Sequence, residues 1–225
     1  MPSTSLQTDT SAPHGKLPRL RMRAALAMGV LAWVVGIAWG LQKIETYSST
    51  PGRVAVTPPR WPGSQLVSPR AGRATLVMFI HPQCSCTRAS LEELRAILDK
   101  TRGTVSAWVV ALQPKGVGDE WLHSDTWDAA RTISGVTVVT DKNGTEADRF
   151  GALTSGHAVL YSAEGKLEFS GGITAARGHV GDNTGEERVV SLVETGKADS
   201  NRHEVYGCGL RDPNPRRDAP ARPAP

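Results

Sequence analysis

Residues 76–98 read LVMFIHPQCSCTRASLEELRAIL. The stretch opens inside a continuous apolar run, Ala74 to Ile80, whose length and lack of polar alternation predict a strand buried on both faces. It closes on Leu91, Leu94, Ile97 and Leu98, whose three- and four-residue spacing marks the apolar face of a helix that Gly103 would terminate. Between the two lies His81-Pro82-Gln83-Cys84-Ser85-Cys86, a strand-to-helix junction carrying two thiols. In open α/β sheets, chemistry gathers at the carboxyl ends of strands. A thiol at that point also meets the positive end of a helix dipole and unpaired N–H groups, which favour the reactive thiolate.

Outward from this junction the chain alternates strand and helix. Val105 to Leu112 and Val136 to Thr140 read as further strands, with short helices expected over Trp121–Arg131 and Glu146–Phe150. Asp141-Lys142-Asn143-Gly144 is a turn, since Asn-Gly readily takes positive φ. His157–Ser162 and Lys166–Ser170 flank Ala163-Glu164-Gly165 as an antiparallel hairpin, and a last helix fits Glu186–Glu194. The order β-α-β-α-β-α-β-β-α predicts an α/β fold with a mixed sheet flanked by helices, parallel strands central and the hairpin at an edge. Trp108, Trp121 and Trp127 are expected in the core.

With the element order in place, LVMFIHPQCSCTRASLEELRAIL resembles the strand, redox-cysteine turn and first helix of the thioredoxin superfamily. FGALTSGHAVLYSAEGKLEFSGGIT resembles that superfamily's fourth and fifth strands, and the likeness covers about residues 70–197. TSGH from Thr154, GGITAARGHVGDN and YGCGL further resemble the proteins known as RedB. The resemblance implies a thioredoxin-like domain in which Cys84 takes the place of the attacking thiol. Two departures stand beside it: one residue, not two, separates Cys84 from Cys86, and Gly156 occupies the place of the family's cis-proline. Glycine there permits a ligand or partner chain to come close. The loop before the fourth strand would turn His157 toward the cysteines.

Three cysteines, Cys84, Cys86 and Cys208, leave at least one outside any intramolecular disulfide. The C-x-C closes too small a loop to restrict the unfolded chain, so a structural staple is the poorer reading. The preferred one is a redox pair, Cys84 and Cys86, whose Cα atoms on a helical turn can fall within the disulfide range of roughly 4.4–6.8 Å. The alternative is a soft-metal site, in which Cys84 and Cys86 with His157 or His81 bind Cu(I). Cys208 is either a buried structural thiol or a resolving cysteine reaching Cys84 from the C-terminus. His81 and Pro82 precede the thiols and would tune their charge, while Arg177, His179 and Asp182 in the Gly-rich run 171–183 would rim the pocket.

The remaining segments set topology. Residues 24–42 are an apolar stretch long enough, at about 27 Å of helix for its uncharged core, to span a bilayer. Lys16, Arg19, Arg21 and Arg23 within the flank 1–23 place the N-terminus in the cytoplasm, and hence the remainder on the periplasmic side of a cell inner membrane. Residues 43–70 hold five prolines and read as a Pro-rich linker, 71–210 as the folded domain, and 211–225 as a disordered tail. The whole chain carries +4, yet residues 74–210 carry −5, so a nucleic-acid groove is excluded and the basic excess belongs to the flanks. The expected function is that of a membrane-anchored thiol-disulfide oxidoreductase without a cofactor, acting on protein thiols or disulfides outside the cytoplasm, with a copper chaperone or metal sensor as the alternative.

Overall fold

The computed structural model describes residues 17–211, and side chains from residue 20. The chain divides after Glu45 into two units.

Within the first unit runs most of helix α1 (Leu17–Ser49), whose stretch Leu20–Ser49 is long and apolar enough to cross a membrane. The expected span 24–42 lies inside it. Gln42 through Ser49 contain neither Pro nor Gly, so nothing halts the helix until Pro51. The first seven residues assigned to a linker are therefore helical.

The second unit is built on a five-stranded sheet in the order β3-β2-β1-β4-β5. Its strands are β1 (Thr75–Ile80), β2 (Ser106–Gln113), β3 (Val136–Lys142), β4 (His157–Tyr161) and β5 (Leu167–Gly172). β1 pairs parallel with β2 and β2 with β3, while β4 runs antiparallel to both β1 and β5. Helices α2 (Thr87–Lys100), α3 (Asp125–Thr132), α4 (Thr145–Phe150) and α5 (Thr184–Thr195) connect and cover it. Gly103, at φ +65°, donates to Leu98 O at 3.0 Å and closes α2 as its position in the sequence predicts. The expected helix over Trp121–Arg131 is instead a 3-10 turn (Asp119–Leu122) followed by α3. Ser124 breaks it by capping α3, its side chain accepting from Trp127 N at 3.2 Å.

Alternation along β1 divides the core. Leu76, Met78 and Ile80 pack with Leu91, Leu94 and Ile97 of α2 and Val189 of α5, whereas Val77 and Phe79 pack with Phe150 of α4, Tyr161 and Val67. Both faces of β1 are thus buried, the condition its unbroken apolar run implied.

The Pro-rich linker is the main departure. Residues 52–67 form a strap docked on the domain. Gly52 N donates to Val205 O at 2.7 Å, Ala55 N to Gly151 O at 3.1 Å and Trp61 N to Gly165 O at 2.8 Å. The prolines lack N–H groups but keep their carbonyls: Pro59 O accepts from Leu167 N at 3.0 Å, and Pro58 O from the Tyr161 hydroxyl at 2.9 Å. Trp61 meets Phe150 and Tyr161 edge-on, each at 5.2 Å between ring centres, and Val67 is fully buried. Composition implies a linker because missing donors disfavour helix and central strand, but an edge strap needs only acceptors and a few apolar anchors. Of the expected tail, Arg211 pairs with Asp148, and residues 212–225 lie outside the described residues.

Candidate functional site

Cys84 lies in the turn between β1 and α2, where its N–H donates to His81 O at 3.0 Å and its carbonyl accepts from Thr87 N at 3.1 Å. The turn is pinned from the loop before β4. Ser155 Oγ accepts from His81 N and shares a hydrogen bond with Thr87 Oγ1, both at 2.8 Å, and Gly156 N donates to Phe79 O at 2.8 Å. Cys86 follows at the N-cap of α2 in helical conformation, with no side-chain capping bond.

The third thiol arrives from the far end of the chain. Residues 201–205 run beside β5, with Ser170 N donating to Asn201 O at 3.0 Å and Gly172 N to Glu204 O at 3.2 Å. The chain then crosses to the loop before β4, where Ser155 N donates to Cys208 O at 2.8 Å and Leu210 N to Leu153 O at 2.9 Å. Gly207 allows this approach, because a Cβ there would drive into the Ser155 carbonyl. Leu210, 2% exposed, anchors the segment in the core beneath. Cys208 Sγ therefore sits 2.9 Å from Cys84 Sγ, and the sulfurs of Cys84, Cys86 and Cys208 all lie within 4.8 Å of one another. All three are free thiols.

Their electrostatics differ. Burial works against charge on Cys84, but hydrogen bonds from the Cys208 thiol and backbone, from the Thr87 side chain and from the Cys86 backbone outweigh it and hold the thiol below its ordinary value. The two sulfurs share one hydrogen bond at 2.9 Å. Burial, then the hydrogen bond to Cys84 and the charge on it, push Cys208 up to about 12. Burial followed by the Cys84 charge also raises Cys86. Of the three thiols, Cys84 is the one whose surroundings favour the thiolate.

Arg177 supplies the positive charge, opposing the rise of both Cys86 and Cys208. Its Nη1 donates to Gly207 O, its Nε to Tyr47 O at 3.0 Å and its Nη2 to Thr50 O at 3.1 Å, with the guanidinium 5.0 Å from the centre of the Tyr47 ring. It joins the segment bearing Cys208 to the end of α1.

The other expected residues are placed differently. His157 is fully buried and turned away, its Nε2 2.9 Å from Ser170 Oγ, which in turn lies 2.6 Å from Thr57 Oγ1. Burial lowers its pKa to about 4, so it is neutral, and among the described residues the metal-competent group consists of the three cysteines without it. His81 turns its ring edge-on to Trp121 at 5.6 Å, and its Nδ1 accepts from Gln83 N at 3.1 Å. Pro82 is buried within the turn, and His179 and Asp182 are exposed on the loop after β5. Gly156, at φ +89°, serves an internal approach: a Cβ there would stand 2.7 Å from Ser90 Oγ of α2. The room expected for a ligand is taken by a helix.

With β1, α2 and β2 forming a parallel crossover, β4 and β5 an antiparallel hairpin, and the thiols at the carboxyl end of β1, the topology is decided. The fold is thioredoxin-like. No family model and no curated protein matches the chain. Among solved structures, it is similar to a hypothetical protein from Sinorhizobium meliloti, at 20% identity and TM-score 0.53, covering 72% of this chain and 93% of that one. An uncharacterized conserved protein from Geobacillus kaustophilus is similar at 14% identity and TM-score 0.51, covering 74% and 94%. The N-terminal domain of PilB from Neisseria gonorrhoeae matches more loosely, at 19% identity over 58% and 81% of the two chains and TM-score 0.42. These likenesses concern the fold alone.

Proposed function

We propose that this chain is a membrane-anchored thiol-disulfide oxidoreductase whose redox pair is Cys84 and Cys208. The observation that supports it is the 2.9 Å between their sulfurs, which requires a movement of under about 1 Å to reach the roughly 2.05 Å of a bonded pair. In the balanced reaction, two protein thiols and one external disulfide give the Cys84–Cys208 disulfide and two external thiols, and the reverse oxidises an external dithiol. Two electrons and two protons pass in either direction. The partner of Cys84 is thus the distant Cys208 in place of the neighbouring Cys86. The segments that carry the likeness to RedB proteins, Thr154–His157, 171–183 and Tyr206–Leu210, include Ser155, Arg177 and Cys208 of this site, which is why that narrower affinity forms part of the proposal. The apolar helix would hold the domain at the periplasmic face of the inner membrane, its basic flank in the cytoplasm.

Mass mapping of the cysteines in protein taken from its membrane under acid quench tests the reading. A Cys84–Cys208 linkage is expected in the oxidised fraction, and a chain whose three cysteines never interconvert between thiol and disulfide would refute it. Alkaline extraction tests the anchor: the full-length chain should stay with the membrane, and release of a shortened one would remove it.

A second reading is favoured by the three sulfurs within 4.8 Å, a donor set suited to Cu(I). Cys208 takes the place expected of His157 in that set. Anaerobic titration with Cu(I) separates the two: stoichiometric binding lost in Cys208→Ser supports a copper role, and the absence of binding at micromolar metal removes it.

A further inference from the structure

The proposed pair is asymmetric in a way that reverses the roles implied by the position of Cys84 in the sequence. Cys84 is 4% exposed, whereas Cys208 is only half-buried. Thiol-disulfide exchange requires the attacking sulfur to approach one disulfide sulfur from the side opposite the other. Cys84, buried in the turn that Ser155 and Thr87 hold in place, leaves almost none of its surface open to an attacking sulfur. Cys208 keeps part of its surface open, and the Arg177 guanidinium bonded to the adjacent Gly207 O places positive charge close enough to favour an anionic sulfur there.

Resting on the redox pair proposed above, we propose that Cys208 is the sulfur through which the protein exchanges with external thiols, and that buried Cys84 is the internal partner. An external thiolate attacks Cys208 Sγ. A bond forms between the external sulfur and Cys208, the Cys84–Cys208 bond breaks, and its electron pair leaves on Cys84 as thiolate. A second external thiolate then attacks the external sulfur of the mixed disulfide and releases Cys208, which takes up a proton. The external pair is oxidised by two electrons and the protein disulfide reduced by two.

The environment of the leaving sulfur agrees with this direction. Cys84 is the thiol of the three that its surroundings hold below the ordinary value, and the more acidic thiol departs faster from a disulfide. In the reverse step Cys84 is the nucleophile: its surroundings favour the thiolate, which attacks Cys208 Sγ of a mixed disulfide and expels the external thiol. Cys86, within 4.8 Å of both, is not consumed in either direction.

The test uses the full-length chain in detergent, oxidised, with Cys86→Ala so that each tryptic peptide carries one cysteine: residues 74–88 for Cys84 and residues 203–211 for Cys208. The disulfide is first verified by mass, then exposed briefly to reduced glutathione, quenched in acid and alkylated. Glutathione should appear on residues 203–211 and the alkyl group on Cys84, in excess over the opposite arrangement by at least about tenfold. Glutathione on Cys84, equal labelling, or no reaction with a verified disulfide overturns the proposal and leaves the redox pair standing. Failure of the Cys84–Cys208 disulfide to form in wild-type protein overturns the pair itself. Should Cys86→Ala not fold, fragment-ion mapping of the wild-type peptide 74–88 gives the same readout.

Discussion

Replacing Gly207 with alanine should uncouple Cys208 from Cys84 while leaving the sheet intact. A Cβ at this position falls well inside contact distance of Ser155 O and stands 3.0 Å from Ser155 C, and neither can retreat, because Ser155 also holds His81 N and Thr87. The Cys208 segment must lift instead. Lifting breaks the bond from Ser155 N to Cys208 O and the one from Arg177 to Gly207 O. At about 1 kcal/mol net for each, the docked position loses about 2 kcal/mol. That corresponds to about a thirtyfold fall in the effective concentration of Cys208 at Cys84. Equilibration with glutathione and its disulfide measures this effective concentration directly. Gly209→Ala is the control, since a Cβ there meets only Arg211 O, at 3.2 Å, and the glutathione equilibrium should scarcely move. An unchanged equilibrium in a folded Gly207→Ala protein would refute the claim that backbone docking places the third thiol.

Three further outcomes are expected. Thr87→Val removes a hydrogen bond to the Cys84 sulfur, so the thiolate absorbance of the reduced protein near 240 nm should develop at higher pH, and an inflection that stays put would count against that bond. His157 has a folded pKa lowered to about 4 from an ordinary 6.5, so the unfolded chain binds the extra proton first: stability is full above about 6.5, declines as pH falls toward 4 by roughly 3 kcal/mol, and levels off below. Urea unfolding across that window should show a flatter profile in His157→Gln, and an identical slope would mean that other groups carry the acid sensitivity. Trp61→Ala, which removes two edge-on ring contacts, should lower stability by about 2 kcal/mol in urea, and an unchanged midpoint would mean that the strap contributes nothing to the fold.

What could be read from the sequence was what local pattern encodes. The run Leu76–Ile80 is apolar because both faces of β1 are covered, and the spacing of Leu91, Leu94, Ile97 and Leu98 matches the buried side of α2. Asn143 and Gly144 adopt φ +64° and +69° in the expected turn. The junction bearing Cys84 follows from those elements alone. For Cys208 the choice between a structural thiol and one reaching Cys84 stayed open, since no periodicity records that a Gly-Cys-Gly segment pairs with a loop some fifty residues earlier. Gly207 and buried Leu210 were the available signals, a close approach and an anchor either side of a thiol. His157 misled for a related reason. Alternation puts it on the face of Val159 and Tyr161, and that face is closed by α4 and by a strap whose composition reads as a linker.

The separation of Cys84 and Cys208 by 124 positions ties redox state to folding. A bond between them would close a loop spanning nearly the whole domain, which by chain entropy disfavours the unfolded state by about 5 kcal/mol. Because the steps of a thermodynamic cycle must sum to zero, the same free energy resists reduction in the folded chain and is released when the chain unfolds. A mutation far from the sulfurs that loosens both redox forms equally therefore leaves the folded-state potential where it was, whereas one that loosens the oxidised form more than the reduced one makes the disulfide easier to reduce by that difference, so the reduction potential reports how much more stable the bonded fold is than the open one.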